Sequence, residues 1–396
     1  MKLLEGIRVL DLTNVLAGPY ASYQLALLGA DVIKVEVPAA GDLARQLGAD
    51  TQLSARRLGA SFVAQNAGKR SITIDLKQEA GREVFDRLLA TADVLIENFR
   101  PGVLARLGYP WETLRARNPR LVYCAISGFG QTGPMRDRPA YDQIIQGLSG
   151  MSTVTGTPET APLRVGFPVC DTLGGMAAAM AINAALAART RTGAGAYLDV
   201  SMLDTALTAM GWVVSDYLIA DRRPTPNGNE NPTGAPSATF ATGSGKLNIA
   251  ANKQEQFEIL CKLIGREDLI DDPRFAHRDD RKARRAELRT ELETALAAKS
   301  AAQWEPLLNQ AGVPAGLVLD VTATLELEQI AQRRLVHEVA LPDRTARVLG
   351  AGFHVDGAPL APAAPPPALG ADTDDLLTKL GFSSDRIAEL HEEGAV

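Results

Sequence analysis

The chain of 396 residues is 46% hydrophobic and 22% charged, a balance that allows a sizeable buried core and excludes intrinsic disorder as the default. Its length suits two compact units, and a formal charge of −6 argues against non-specific binding to nucleic acid or an anionic membrane, so an anionic ligand has to be met by a local basic patch. Cys124, Cys170 and Cys261 lie far apart without C-x-x-C spacing and the first residues lack a secretion signal, which together place the protein, as an expectation, in the cytoplasm.

In chain order, 7–12 reads as a strand, 20–28 as a helix closed by Gly29, and 31–37 as a strand stopped by Pro38. This βαβ unit predicts a parallel sheet. The pattern continues with a strand at 71–76, a helix at 78–90, a strand at 93–98, two short helices and a strand at 121–127, which makes the fold class α/β, with a Rossmann-like large domain. An Ala-rich helix then runs from about Asp171 to Arg189. Its longest apolar stretch, 174–188, is shorter than the ~20 residues of a membrane span and is mostly Ala and Gly, so it reads as a core helix.

A helix at 198–220 leads into the Pro-, Gly- and Asn-dense stretch 221–236, which reads as a linker. A strand at 246–251 and helices at 254–263, 281–298 and 302–310 form a smaller α+β domain. The Pro-rich stretch 358–367 precedes two terminal helices, 372–380 and 384–392. The expected organisation is a large domain over 1–205, a helix and linker over 206–236, a small domain over 237–335, and a linker and C-terminal segment over 336–396.

All four histidines, His277, His337, His354 and His391, follow the first domain, and no G-x-S-x-G occurs, which argues against a hydrolase triad; no cluster has metal-ligand spacing. The first βα turn, Thr13 to Pro19, holds a single glycine and is a weak dinucleotide site, even with Glu36 closing the second strand. Arg45, Lys69, Arg70, Lys77, Arg100, Arg106, Arg136 and Arg138 fall near loops or helix starts, where phosphates are met, although solvated surface is the commoner fate of such residues. The loop Glu97-Asn-Phe-Arg-Pro-Gly102 offers an amide, an aromatic ring and a guanidinium at a strand end, or simply turns the chain into a helix. Asp171 is either a helix cap, though Gly174 stands where a capping box needs Glu or Gln, or a reactive carboxylate. Gly174 and Gly175 in the first turns each cost on the order of 1 kcal/mol against Ala, which points to a ligand or a tightly packed neighbour beside them.

The stretches Gly6-Ile-Arg-Val-Leu-Asp-Leu12, Ala17-Gly-Pro19, Leu28 to Glu36, Gly41-Asp42, Glu97 to Gly102, Arg106-Leu-Gly108, Ser127-Gly-Phe-Gly-Gln-Thr-Gly-Pro134, Tyr141-Asp142 and Asp171 together resemble the family III CoA-transferases, the CaiB/BaiF family that includes formyl-CoA:oxalate CoA-transferase. The resemblance covers essentially the whole chain. It implies two domains with the C-terminal segment returning to the large one, an interlocked homodimer, acyl-CoA and small carboxylic acids as substrates, and no tightly bound cofactor. It implies Asp171 as nucleophile, forming an aspartyl anhydride and then an aspartyl-CoA thioester, with the N–H groups near Gly174 and Gly175 as candidate oxyanion donors. For CoA it points to Leu16, Ala17, Lys77, Asn98, Phe99, Arg106 and Tyr141, with Arg100 and Arg138 as added phosphate counterions.

Three departures narrow the reading. Leu16 stands where the formyl-CoA:oxalate enzymes have glutamine, and the segment 239–253 has only Gly243-Ser-Gly245 in place of a glycine-rich loop, both of which point away from oxalate. The α-methylacyl-CoA racemases, similar in fold, have a histidine base about where Tyr141 stands, which this chain lacks. The linker region resembles transferases of succinate or glutarate, which suggests succinyl-CoA as donor. The alternatives are a racemase or isomerase and a non-catalytic acyl-CoA-binding protein.

Overall fold

The computed structural model describes all 396 residues, which divide into two compact units. The first comprises 1–151, 164–223 and 328–396, and the second 152–163 and 224–327. The second unit thus starts earlier in the linker and ends earlier than the expected 237–335, and it gains a detached piece: Gly228 N–H bonds the Gly156 carbonyl at 2.7 Å, binding that piece to the linker.

The first unit is built on six parallel strands: β1 (Arg8–Asp11), β2 (Asp31–Glu36), β3 (Arg70–Thr73), β4 (Val94–Glu97), β5 (Val122–Ser127) and β6 (Ala196–Ser201). Their order is β3-β2-β1-β4-β5-β6, a doubly wound sheet whose direction of growth reverses between β1 and β4. Strand alternation sends side chains to two cores. Leu10, Ile33, Leu95, Tyr123 and Ala125 face one that includes the helix α2 (Glu79–Ala90) and the chain's last helices. Val9, Val32, Val94, Ile96, Val122, Cys124 and Ile126 face the other, beneath α1 (Ala17–Leu27), α3 (Asp142–Leu148) and α4 (Val169–Thr192). By length and a mean hydropathy of 1.4, α4 could cross a bilayer, yet its Cys170, Ala178, Ile182 and Leu186 are core residues under the sheet.

β6 corrects the expected helix at 198–220. Residues 196–201 pair with β5 across their whole length, and helices follow only at α5 (Met202–Ala209) and α6 (Gly211–Ala220). Residues 328–396 return to this unit. They include the hairpin Val336–Ala340 with Thr345–Leu349, and Asp372 accepts the Ser71 N–H of β3 at 2.8 Å. The second unit has a three-stranded antiparallel sheet of Ser237–Ala241, Lys246–Ala250 and Ala315–Leu317, packed on helices through Phe257, Leu292 and Trp304.

Beneath the β1–α1 turn lies a buried lattice of charges. Asp11 binds Lys69 at 2.9 Å and Lys34 binds Asp42 at 2.8 Å, all four side chains being inaccessible. Glu36 takes a bidentate pair from Arg45, with both distances 2.7 Å. Burial pushes the Asp11 carboxyl up, but Lys34, Lys69 and the hydroxyls of Ser22 and Thr13 outweigh it and hold Asp11 well below the usual carboxylate range.

Candidate active site

The β1–α1 turn meets β4, β5 and α4 at the carboxyl ends of the strands, where doubly wound sheets place their ligands. The turn is held residue by residue. Thr13 N–H donates to Asp11 and the Thr13 carbonyl accepts from Lys34; Val15 N–H donates to Asp42 at 3.0 Å. Asn98 pairs with both backbone groups of Asn14, each at 2.8 Å. This grip keeps Val15 at φ 69°, a left-handed conformation that a β-branched residue adopts only under constraint.

Asp171 is the third residue of α4, not its cap. Pro168 precedes the helix without a side-chain cap bond. The cap comes from α3, where Asp142 accepts the Cys170 N–H at 2.8 Å and the Asp171 N–H at 3.5 Å. Gln146, one turn beyond Asp142, donates to it at 2.7 Å and accepts the Val165 N–H at 2.8 Å, fixing the chain that enters α4. Burial, reinforced by the negative charge of Asp142, pushes the Asp171 carboxyl up to about 7.

Gly174 and Gly175 lie inside α4, where each N–H is committed to the carbonyl four residues earlier. The expected oxyanion donors are therefore absent from them, and their role is packing. A Cβ on Gly175 would stand 2.5 Å from the Ala17 carbonyl oxygen, and one on Gly174 3.1 Å from Met202. Of the two explanations for these glycines, the tightly packed neighbour is the one present.

Three cavities adjoin here. The first, about 250 Å³, is lined by Asn14, Val15, Leu16, Ala17, Asn98, Phe99, Ser127, Tyr141 and Asp171. It shares Asn98, Phe99, Ser127 and Tyr141 with a second, about 200 Å³, that adds Arg100, Arg136 and Arg138. It shares Asn14 and Phe99 with a third, about 270 Å³, that reaches Lys77 between Val35, Ile74, Leu76 and Val103. Arg106 lies outside these walls, but its guanidinium converges with that of Arg136 at Gly102, where a Cβ would be 3.3 Å and 3.7 Å from them.

The basic residues thus separate into two groups. Arg45, Lys69 and Arg70 are spent on Glu36, Asp11 and Asp31 in the fold. Lys77, Arg100, Arg136 and Arg138 border the cavities. Glu36, held by Arg45, Ser71 and the Asp42 N–H, is structural and is not a ribose ligand. Sequence reading gave no role to Asn14, Ser127 or Asp142. The only signal for Asp142 was its place beside Tyr141 with Gln146 one helical turn on.

A carboxylate in one cavity, with cations bordering the two that adjoin it, is an arrangement suited to a long anionic ligand. The chain matches the model of CoA-transferase family III over residues 4–373 and belongs to that family. It is 41% identical over 350 residues to the acetyl-CoA:oxalate CoA-transferase of Acetobacter aceti, covering 87% of this chain and 89% of that protein. It is 39% identical over 345 residues to the succinate–glutarate CoA-transferase of Agrobacterium fabrum, covering 86% of each. Among solved structures it resembles a CaiB/BaiF family protein from Brucella suis, with a TM-score of 0.84 and 35% identity over 95% of this chain and 98% of that one. The protein is a CoA-transferase of this family, acting on CoA thioesters and acids.

The packing at Gly175 predicts a graded response. Gly175→Ala, whose methyl meets the Ala17 carbonyl, should destabilise the protein by about 1–3 kcal/mol and depress turnover. Gly147→Ala, where nothing lies within 4 Å, should be neutral or stabilising. Denaturant unfolding of both variants checks this; equal stability of the two would refute the close packing.

Proposed function

We propose that the protein moves CoA from an acyl-CoA, with succinyl-CoA as donor, to a small carboxylic or dicarboxylic acid through covalent intermediates on Asp171. The observation that carries this reading is the position of Asp171, half-buried in the wall of a cavity whose two adjoining cavities carry Lys77 and three arginines. In the reaction, a carboxylate oxygen of Asp171 attacks the thioester carbonyl. The C–S bond breaks, leaving a mixed anhydride and CoA thiolate. The thiolate attacks the aspartyl carbonyl, releasing the donor acid and leaving an aspartyl-CoA thioester. The acceptor carboxylate repeats the sequence in reverse and regenerates the Asp171 carboxylate.

Lys77, Arg100 and Arg138 along the cavities, and Arg106 outside their walls, serve as counterions to the CoA phosphates, while Asn98, Phe99 and Tyr141 flank the pantetheine arm. The apolar walls between Lys77 and Phe99 suit the adenine ring. The backbone of Leu16 and Ala17, at the start of α1, faces the thioester end. A racemase reading finds no histidine among the residues lining the Asp171 cavity. An acyl-CoA-binding protein in which Asp171 is a cap is disfavoured because Asp142 supplies the cap.

The working unit in this reading is an interlocked homodimer in the cytoplasm. Every residue of α6 is at least partly exposed, with Trp212 at 73%, Leu218 at 74% and Ile219 at 85%, and Met180 on α4 at 72%. Such apolar surface suits burial against a second copy. The three cysteines are buried free thiols, as suits a reducing compartment. Sedimentation should return twice the 42.1 kDa chain mass; a monomer would remove the dimer from this reading.

Incubation with succinyl-CoA and no acceptor should place CoA or an acyl group on the peptide containing Asp171, detected by mass spectrometry and absent from Asp171→Asn. An unmodified peptide with full turnover would sink the covalent route.

The pH profile is a second test. Because the nucleophile must be ionised, kcat/KM should fall as pH drops below about 7, and Asp142→Asn should move that limb to lower pH. The stability sign follows: a folded-state pKa raised above 3.8 means stability is lost as pH rises from about 4 through 7. Asp171→Asn should therefore be more stable than the parent at pH 8, by no more than about 4 kcal/mol. An acid limb unmoved in Asp142→Asn would break the link between the two carboxylates.

A further inference from the structure

Ser127 ends β5, opposite Ser201 of β6 in the parallel register. It follows Tyr123 and Ala125 on one face of the strand, where a small apolar residue would continue the core. Ser127 is instead a hydroxyl, 8% exposed, and its Oγ is buried without a hydrogen-bond partner. A buried polar atom left unpaired costs stability, so a chain that keeps one has a use for it. Gln65, Gln131 and His337 also carry unpaired buried atoms, but none of them lines the three joined cavities. Ser127 lines two of them, the one that ends at Asp171 and the one that holds Arg100, Arg136 and Arg138.

We infer that Ser127 is a ligand-binding residue whose hydroxyl donates to an amide carbonyl on the pantetheine arm of CoA. The inference rests on the proposed function and adds to it a residue and a recognised group. A hydroxyl offers one donor and two acceptors and no charge, so it can pair with a neutral amide without a counter-charge, and its place in the chain of cavities decides which group it meets. With the phosphates at the arginines and the thioester at Asp171, the part of the ligand passing between them is the arm, and its polar groups are amides. The unpaired Oγ is thereby satisfied only when the arm is bound, at a point the chain has already desolvated.

Calorimetric titration of Ser127→Ala with two probes, free CoA and adenosine 3′,5′-bisphosphate, separates this from a structural role. The variant should bind free CoA about tenfold more weakly, raise KM for the acyl-CoA with kcat within about twofold, and bind the bisphosphate, which has no arm, as the parent does. Its thermal midpoint without ligand should be equal to or above that of the parent, because an unpaired buried hydroxyl has been removed. Unchanged CoA affinity overturns the inference. A lower midpoint, with or without weaker binding, assigns the hydroxyl to the fold and also overturns it. A fall in kcat with CoA affinity intact would place the hydroxyl on the thioester carbonyl and refute the amide assignment. Failure of the parent protein to bind CoA would instead strike the proposed function itself.

Discussion

The buried lattice of Asp11, Lys69, Lys34 and Asp42 is the constraint on which the site depends. Four charges removed from water are sustained only by near-complete pairing, since desolvation costs several kcal/mol per ion. What the pairing achieves is local. Asp11, Lys34 and Asp42 each also bond the backbone at Thr13 or Val15, so the lattice sets the shape of the turn as well as neutralising itself. A glycine-rich phosphate turn obtains its conformation from freedom at φ. This turn, with Val15 held at φ 69°, obtains an unusual conformation from side chains that over-determine it.

The fixed turn in turn fixes α1, and α1 fixes the helix that carries Asp171. Ala17 begins α1 and its carbonyl lies against Gly175 in the second turn of α4, so the helix bearing Asp171 is registered against the turn by backbone contact. Asp142 adds the second coordinate by capping α4 from α3. Geometry and electrostatics are coupled at that point, because the carboxylate that orders the start of the helix also opposes ionisation of Asp171. A neutral cap would give the order without the charge.

What was legible in the sequence follows the range of the interactions. Strands β1, β2, β4 and β5 show as short apolar runs between turn residues, since alternation and burial leave a local trace. The strand β6 does not, because its alternating exposure runs directly into helix α5 and the apolar residues of both merge into one helical pattern. In the site, Asp171 and Asn98 were readable from their neighbours. Asp142 was not, because the N–H it caps, on Cys170, lies 28 residues later. Arg45, Lys69 and Arg70 look like phosphate ligands until the fold brings Glu36, Asp11 and Asp31 to them. A charge in a sequence has no partner; only the fold divides cations into those already neutralised and those left for a ligand.

That division explains how an acidic chain accommodates a polyanion. The net charge of −6 disfavours any phosphate at long range, but screening over about 8 Å at physiological salt confines the penalty to neighbouring charges. Within that distance the second cavity sees Arg100, Arg136 and Arg138, with the exposed Asp137 3.4 Å from Arg136, while Asp11, Asp42 and Glu36 are already paired with Lys69, Lys34 and Arg45. Asp171 is the exception, a carboxylate in the cavity wall whose charged neighbour is another carboxylate, Asp142. Pairing it with a cation would offset the cost of its buried charge; unpaired, the carboxyl is pushed up to about 7, the kind of perturbation that marks functional rather than structural carboxyls.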